Sequence, residues 1–201
     1  MGSILVVYAT REGQTRKVAE RIATVLRGSG HVVELVDAER PPPTLRVERY
    51  QAVFIGSPLR ANGYLRSVVR FVQEHRSALQ QLPTCFFSVG LAVLSKVSDG
   101  RAQTLEIVEK FVVETGWRPH QVELVAGALP YSKYNFLVRF VMRRIARKEG
   151  GDTDTSRDYE YTDWPGVDRF ATAFIESVLG KSAPGVPAIP LAVQGREVAR
   201  A

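Results

Sequence analysis

The sequence predicts an α/β protein in which a parallel β-sheet is covered by helices on both faces. Short apolar runs, several of them rich in β-branched residues, alternate along the chain with longer segments whose apolar residues recur at helical spacing. The first run, Ile4–Tyr8, is apolar throughout, as expected for a strand buried on both faces. Strands that alternate with helices are joined by right-handed crossovers and therefore run parallel.

Length and composition favour a single soluble domain. The chain has 201 residues, of which 45% are hydrophobic and 24% charged, so it can bury a substantial core. No apolar run approaches the roughly 20 residues that span a bilayer, and no export signal precedes the first strand. The single cysteine, Cys85, excludes an intramolecular disulfide and is interpreted as a small core residue.

The first strand, the loop after it and the following helix predict an anion site. The loop is Thr10–Gln14, and the apolar face of the helix begins at Thr15. The unpaired N–H groups and the dipole at a helix N-terminus favour a negative group. The hydroxyls of Thr10 and Thr15 can donate hydrogen bonds, and Gly13 lets the backbone approach closely. The spacing is neither that of a P-loop nor that of a dinucleotide fingerprint.

The remaining elements follow in order. Further strands are predicted at His31–Asp37, Ala52–Ile55, Thr84–Val89 and Val122–Ala126. Helical spacing recurs around residues 65–72, 107–112 and 167–178. We predict one domain over residues 1–179, followed by a disordered tail at 180–201 that is rich in proline and small residues.

Three loops leave the carboxyl edge of the predicted sheet, where ligands bind in open α/β folds. They are Thr10–Thr15, Gly56–Tyr64 and Val89–Gly100. The second and third contain more Gly, Ser, Asn and Pro than simple connections need, although ordinary surface loops remain the alternative. Arg60, Tyr64 and Leu91 are candidate contacts for a ring or a substrate.

The segment Gly127–Asp163, between the fifth strand and the last helix, is too long for a plain connection. It is predicted to be helical around Asn135–Lys148. Across Tyr131–Glu149, six basic residues minus one acid leave a charge of +5, which is most of the formal +6 of the whole chain.

Basic residues and phenylalanines share one side of this predicted helix, opposite an apolar sector that contains Val138, Val141, Met142 and Ile145. The basic side carries Phe136, Arg139, Phe140, Arg143, Arg144 and Arg147. The helix could leave a solvated basic face, bind nucleic acid, or rest on an anionic membrane, where each basic residue adds about 1 kcal/mol. No nucleic-acid motif accompanies it, and the phenylalanines favour the membrane.

The first loop resembles the phosphate loop of flavodoxins, Ser/Thr-x-Thr-Gly-x-Thr, which holds the monophosphate of FMN. Thr10, Gly13 and Thr15 match that pattern. Glu12 replaces the central threonine, and its carboxylate would repel a phosphate unless the side chain turns outward.

Later motifs are more specific. The segments G-G-D-T-D-T at 150–155 and Y-T-D-W at 161–164, with G-W-R-P at 116–119 and A-G-A-L at 126–129, resemble the flavodoxin-fold, menaquinone-dependent protoporphyrinogen oxidases. The resemblance implies a doubly wound five-stranded sheet of order 2-1-3-4-5, FMN as cofactor, and oxidation of protoporphyrinogen IX in haem synthesis. It also implies a menaquinone or other membrane quinone as acceptor, and a cytoplasmic protein peripheral on the inner face of the membrane.

The resemblance also implies roles for individual residues. FMN contacts are expected at Thr10, Arg11, Gly13, Gln14, Thr15, Ser57, Pro58, Leu59, Arg60, Val89, Gly90 and Leu91. Substrate contacts are expected at Arg60, Tyr64, Lys96 and Lys133, and membrane or quinone contacts on the basic side of the inserted helix. Pro58 and Gly90 depart from the family's loop residues. We expect no metal and no acid–base dyad, because a flavin carries the chemistry itself.

Other classes stay open. An electron-transfer flavodoxin could dock an acidic partner through the basic helix, and an NAD(P)H:quinone reductase would need a pyridine-nucleotide site, for which no fingerprint is found. His31, His75 and His120 are interpreted as structural, and Asp152 and Asp154 as turn or capping residues. We expect no nucleic-acid partner, and the oligomeric state, including a homo-oligomer, is left open.

Overall fold

The computed structural model describes residues 3–60, 63–95, 99–148 and 152–180. The predicted substrate residue Lys96 and the tail beyond Gly180 lie outside the described residues. In chain order the elements are β1 (Ser3–Tyr8), α1 (Gln14–Gly28), β2 (Val32–Asp37), β3 (Ala52–Pro58), α2 (Arg66–Glu74), α3 (Arg76–Leu79), β4 (Thr84–Gly90), α4 (Gly100–Thr115), β5 (Gln121–Ala126), β6 (Ala128–Leu129), α5 (Phe136–Lys148), β7 (Tyr159–Glu160) and α6 (Trp164–Leu179).

Strands β1 to β5 form one parallel sheet in the order β2-β1-β3-β4-β5, which confirms the predicted fold class. In β1, Ile4 pairs with Val33 of β2 on one side and with Ala52 of β3 on the other. The chain therefore winds outward from β1 in both directions. The crevice where the strand order reverses lies at the carboxyl ends of β1 and β3, which is where such sheets bind ligands.

Alternate residues of β1 face two separate core layers. Ile4 and Val6 contact the layer formed by α1 and α6, whereas Leu5 and Val7 contact the layer formed by α2, α3 and α4. All four side chains are fully buried. This burial on both faces explains why the run is apolar throughout.

Strands β3 and β4 run further than the periodicity indicated, to Pro58 and Gly90. Pro58 is in register with Val89 of β4, while the last β3 residue paired with β1 is Gly56. A proline is tolerated at this position because β1 has already ended beside it, so no partner there needs its missing N–H. The strand ends thus project beyond β1 at the carboxyl edge.

The insertion after β5 contains α5 and a small antiparallel sheet of β6 and β7. Each of these strands has two residues, too few for an alternation that sequence analysis could detect. Helix α5 begins at Phe136, one residue after the predicted start. Among the described ranges, no helix is both long and apolar enough to cross a bilayer.

Candidate functional site

The start of helix α1 has the properties of an anion site. Gly13 is its N-cap residue with φ of 102°, a conformation that L-residues with side chains rarely adopt. Its N–H donates to Oγ1 of Thr10 at 2.9 Å. Within the described residues, no side chain caps the helix and the first turn has no acid. The N–H groups of that turn can therefore serve an anion.

The carboxylate of Glu12, in the loop before this helix, is paired with a cation. Its Oε1 lies 3.3 Å from the Arg60 guanidinium, on the loop after β3. Both side chains are partly exposed, so the pair contributes little to stability. Its importance is geometric, because the acid that would repel a phosphate is paired with a cation from a second predicted FMN loop.

Two residues of the insertion, Lys133 and Tyr134, lie close to Glu12. The Lys133 ammonium donates to the Glu12 carbonyl at 2.6 Å. Burial, followed by the Glu12 carboxylate, raises the pKa of the neighbouring Tyr134 to about 12, while the charge of Arg60 opposes that change. Sequence reasoning missed Tyr134, because its proximity to Glu12 depends on how the insertion folds over the loop.

The two predicted ring loops contact each other closely. Leu59 N–H donates to the Val89 carbonyl at 2.8 Å, and Gly127 N–H donates to the Gly90 carbonyl at 3.1 Å. A Cβ added to Gly90 would lie 2.9 Å from Cβ of Leu59. The departure at Gly90 therefore has a physical reason, since only glycine leaves room for the neighbouring strand end. Leu91 packs against the small core of the insertion, which contains Leu129, Tyr131 and Ala146.

Two predicted site residues point into the core instead. The Tyr64 ring packs edge-on against Phe86 and Phe111, its hydroxyl donates to Ser88 at 2.9 Å, and burial raises its pKa to about 12. Ser57 is fully buried, and its hydroxyl accepts from the N–H of residue 65 at 3.2 Å. Their positions give both residues structural contacts, while Arg11 is exposed in the first loop.

The Y-T-D-W segment joins the insertion to the first loop. Thr162 Oγ1 donates to the Ala126 carbonyl at 2.7 Å and accepts from the Gln14 side-chain amide at 2.8 Å. Tyr161 N–H donates to the Gly127 carbonyl at 3.0 Å. The Gln14 side chain is thus used to hold the fold together, which explains why this motif accompanies the phosphate loop.

The insertion has its own small core of aromatic rings. Tyr131 is fully buried and packs with Leu129 and Ala146, and its hydroxyl donates to the Asp152 carbonyl at 2.9 Å. The partly buried rings around it are Tyr134, Tyr159 and Tyr161. Burial first, and then the hydrogen bond to Asp152, raises the pKa of Tyr161. The insertion is therefore a packed unit with a small core of its own.

Helix α5 exposes the residues predicted for membrane contact. Phe136 and Phe140 are 86% and 60% exposed. A shallow cavity of about 430 Å³ is lined by Phe140, Arg143, Arg144 and Arg147. Two residues differ from the helical projection. Val141, assigned to the apolar sector, is 46% exposed, and Arg139 is half-buried with a guanidinium N–H donating to the Tyr134 carbonyl at 3.4 Å.

Other titratable residues have structural contacts. Cys85 is fully buried, and burial raises the pKa of its thiol. His120 Nδ1 accepts from Thr84 N–H at 3.2 Å. Asp154 accepts from the N–H and hydroxyl of Ser156, as the turn interpretation predicts. The Asp152 carboxylate instead holds the hydroxyl of Tyr161. In the part of the chain that the structure describes, no cluster could hold a metal ion.

Comparison with known proteins places the chain among flavoproteins. A model of the flavodoxin domain family matches residues 5–156. Over 167 residues the chain is 35% identical to protoporphyrinogen IX dehydrogenase (quinone) of Escherichia coli K12, covering 83% of this chain and 91% of that protein. The chain belongs to the protoporphyrinogen IX dehydrogenase family. The protein of that name from Leishmania major is 32% identical over 193 residues, covering 96% of this chain and 78% of that one.

Members of this family are oxidoreductases with a flavodoxin domain, which implies a flavin cofactor. Oxidised flavodoxin 1 from Bacillus cereus superposes with a TM-score of 0.54 at 14% identity, over 87% of this chain and 97% of that one. The residues present fit a flavin with a phosphate arm. The helix start is uncapped within the described residues, Gly13 has a positive φ, and Gly90 permits close approach of the two ring loops.

Proposed function

We propose that this chain oxidises protoporphyrinogen IX to protoporphyrin IX and passes the hydrogens to a membrane quinone, with FMN as its flavin. The observation that carries the proposal is the start of α1, where no described side chain caps the helix, Gly13 is the N-cap next to the Thr10 hydroxyl, and Arg60 pairs with Glu12 of the same loop. The names of the relatives support the substrate and the quinone.

The roles of the residues follow from this geometry. Thr10, Gly13 and the first turn of α1 would hold the phosphate of FMN. Leu59 and the residues from Val89 to Leu91 would hold the isoalloxazine ring, where the ends of β3 and β4 meet. FMN, when bound, supplies the two-electron redox chemistry. Hydrogens leave the porphyrinogen in pairs, and each pair converts a quinone into a quinol, so atoms and electrons balance without another oxidant.

Arg60 is the proposed contact for a propionate of the substrate. Its side chain is 44% exposed at the carboxyl edge, and its ion pair with Glu12 is long at 3.3 Å. A weak, exposed pair is exchanged for a substrate carboxylate at little cost. A planar guanidinium can also bind a carboxylate through two parallel hydrogen bonds.

The exposed side of α5 is the proposed membrane contact, on the cytoplasmic face, with menaquinone or another membrane quinone as the acceptor. Transfer of the exposed Phe136 and Phe140 side chains from water to the boundary between headgroups and acyl chains is favourable. Arg143, Arg144 and Arg147 are exposed beside them and would meet anionic headgroups. A basic face without exposed phenylalanines would be as stable in water as on a membrane.

The activity is tested by mixing the FMN-loaded protein with protoporphyrinogen IX under air-free conditions. Porphyrin fluorescence is expected only when a menaquinone analogue is added. Porphyrin formation that requires no quinone, or reduction of the quinone by NAD(P)H without porphyrinogen, would contradict the proposal. The second outcome selects an NAD(P)H:quinone reductase. A yellow protein that turns over neither substrate selects an electron carrier.

The membrane contact is tested with liposomes that contain anionic lipid. Replacing both phenylalanines, Phe136→Ser with Phe140→Ser, is expected to weaken liposome binding at low salt by at least about tenfold. Val113→Ser is the matched control, since Val113 is 81% exposed on helix α4 and outside the insertion. Failure of the unaltered protein to bind these liposomes, or equal loss in the control, would contradict the membrane assignment.

A further inference from the structure

Lys133 crosses from the insertion to the phosphate loop. Its ammonium donates to the Glu12 carbonyl at 2.6 Å, and a Cβ built on Gly13 would lie 3.5 Å from the same Nζ. The loop and the lysine are 121 residues apart in the sequence. A cation therefore lies against the segment that begins the proposed phosphate site, although it belongs to a different part of the fold.

The backbone on both sides of Lys133 is held in place. Tyr131 is fully buried, and Lys133 N–H donates to the Pro130 carbonyl at 3.0 Å. Ser132 donates to the Asp158 carboxylate twice, from its N–H at 2.8 Å and from its hydroxyl at 2.6 Å. The lysine is thus presented by an ordered turn, so less side-chain and backbone entropy is lost when it meets an anion.

The charges around the loop explain why a second cation is useful. Arg60 pairs with the carboxylate of Glu12, which leaves that pair neutral. Lys133 donates to the backbone carbonyl of the same residue. Because a carbonyl has no net charge, this contact does not neutralise the ammonium group. With Lys133 the group of three is net positive. The Asp158 carboxylate, whose pKa is lowered by the Ser132 hydrogen bonds and then by the charges of Lys133 and Arg139, is itself balanced by Arg139. A phosphate dianion is therefore attracted.

We infer that Lys133 is a cation that the insertion supplies to the phosphate end of FMN, and that it acts there rather than on a propionate of the substrate. The inference rests on the proposed function. It makes the acidic residue at position 12 compatible with a phosphate loop. It also couples the two parts of the molecule, since a contact that strengthens FMN binding is strengthened reciprocally by FMN.

The test compares two flavins that differ only in the phosphate, FMN and riboflavin. Lys133→Met keeps the aliphatic stem and removes the charge. It is expected to weaken FMN binding about five- to tenfold at low salt, with a smaller factor as salt rises, because the lysine is exposed. Riboflavin affinity is expected to change less than about twofold, since the charge has no phosphate to meet. Quenching of flavin fluorescence measures both.

Two further variants sharpen the result. Lys110→Met, an exposed lysine on α4, is the matched control and is expected to leave both affinities unchanged. Lys133→Arg keeps the charge and is expected to retain most of the FMN affinity. Equal weakening of FMN and riboflavin by Lys133→Met, or no weakening of either, would overturn the inference while leaving the proposed function intact. An unaltered chain that binds neither flavin would overturn both.

Discussion

Helices α1 and α6 lie side by side on one face of the sheet but begin in opposite ways. Arg21 of α1 and Asp168 of α6 join them through two hydrogen bonds of 2.7 and 2.5 Å. Helix α6 starts with Asp163, whose carboxylate accepts from Gly166 N–H at 3.0 Å. Helix α1 starts with Gly13 and has no side-chain cap within the described residues. The first turn of α6 is capped by a side chain, whereas the first turn of α1 is where we propose that the phosphate of FMN binds.

A missing cap alone does not mark a site, because α2 also lacks one among the described residues. At α1 the missing cap coincides with a glycine at positive φ, the Thr10 hydroxyl and the nearby cations Arg60 and Lys133. The start of α1 thus differs from those of α2 and α6 in its combined charge and backbone geometry, and on this combination the proposed phosphate site rests. Exchanging those features between the two helices should exchange their behaviour.

The largest effect is expected from giving α1 an acidic N-cap. Gly13→Asp places a carboxylate where the phosphate is proposed to bind, and close like charges repel by several kcal/mol at an effective dielectric of about 20. FMN affinity is expected to fall more than about a hundredfold, measured by fluorescence titration.

Gly13→Asn is the matched control for this substitution. Asparagine tolerates positive φ about as well as aspartate and has nearly the same shape, but carries no charge. It is expected to lose less than about tenfold in FMN affinity, mostly through backbone strain. Equal losses in the two variants would show that shape, and not charge, decides binding at α1.

An intermediate effect is expected from removing the cap of α6. Asp163→Ala leaves the N–H of Gly166 without its acceptor, which costs about 1 kcal/mol of unfolding free energy. For a chain of this size the thermal midpoint should fall by about 2–4 °C. Asp163→Asn keeps an acceptor oxygen and should lose less. Thermal unfolding measures the change, and an accompanying loss of FMN affinity would contradict the separation of roles between the two helices.

The smallest effect concerns the ion pair that joins the helices. The hydrogen bond from Arg21, followed by its charge, lowers the pKa of the Asp168 carboxyl below its ordinary value of 3.8. A carboxyl whose pKa is lower in the folded state stabilises the fold at neutral pH, and this stabilisation is lost as the pH falls through the folded value. Because the pair is exposed to solvent, its contribution to the free energy of unfolding is small.

Asp168→Asn is therefore expected to lower stability slightly at pH 7 and to flatten the loss of stability below about pH 4. Urea unfolding at a series of pH values measures both. The companion variant Arg16→Gln breaks the exposed pair of Arg16 with Glu20 within α1. It should leave the loss of stability at acid pH, which we assign to Asp168, unchanged. An unchanged pH dependence in Asp168→Asn would contradict the role of this pair.

The sheet could be predicted from sequence because its signals are local. The apolar run around Ile4–Tyr8 indicates burial on both faces of the sheet. In the same way, the glycine and hydroxyl residues of the first loop predict an anion site. In the structure β3 and β4 extend past their predicted ends, Ile55 and Val89, to include Pro58 and Gly90, two residue types that are uncommon inside strands. Their tolerance here depends on where β1 ends and on the room beside Leu59.

The inserted helix shows the limit of periodicity. Its position was predicted within one residue, and the exposure of Phe136 and Phe140 follows the helical projection. Arg139 and Val141 do not follow it in full. The surroundings of α5 depend on the tyrosines of the insertion, which pack in the same small core as the helix. The angular position of a residue on the helix does not include these contacts.

The sequence by itself determined the fold class and the five strands of the parallel sheet, because backbone propensity and burial pattern act over a few neighbouring residues. Only the tertiary structure decided that Arg60 pairs with the carboxylate of Glu12, that Lys133 donates to the Glu12 carbonyl, and that Thr162 accepts from Gln14. The Lys133 and Thr162 contacts join residues 121 and 148 positions apart. Contacts of that kind depend on how the whole chain packs, and a linear pattern does not specify them.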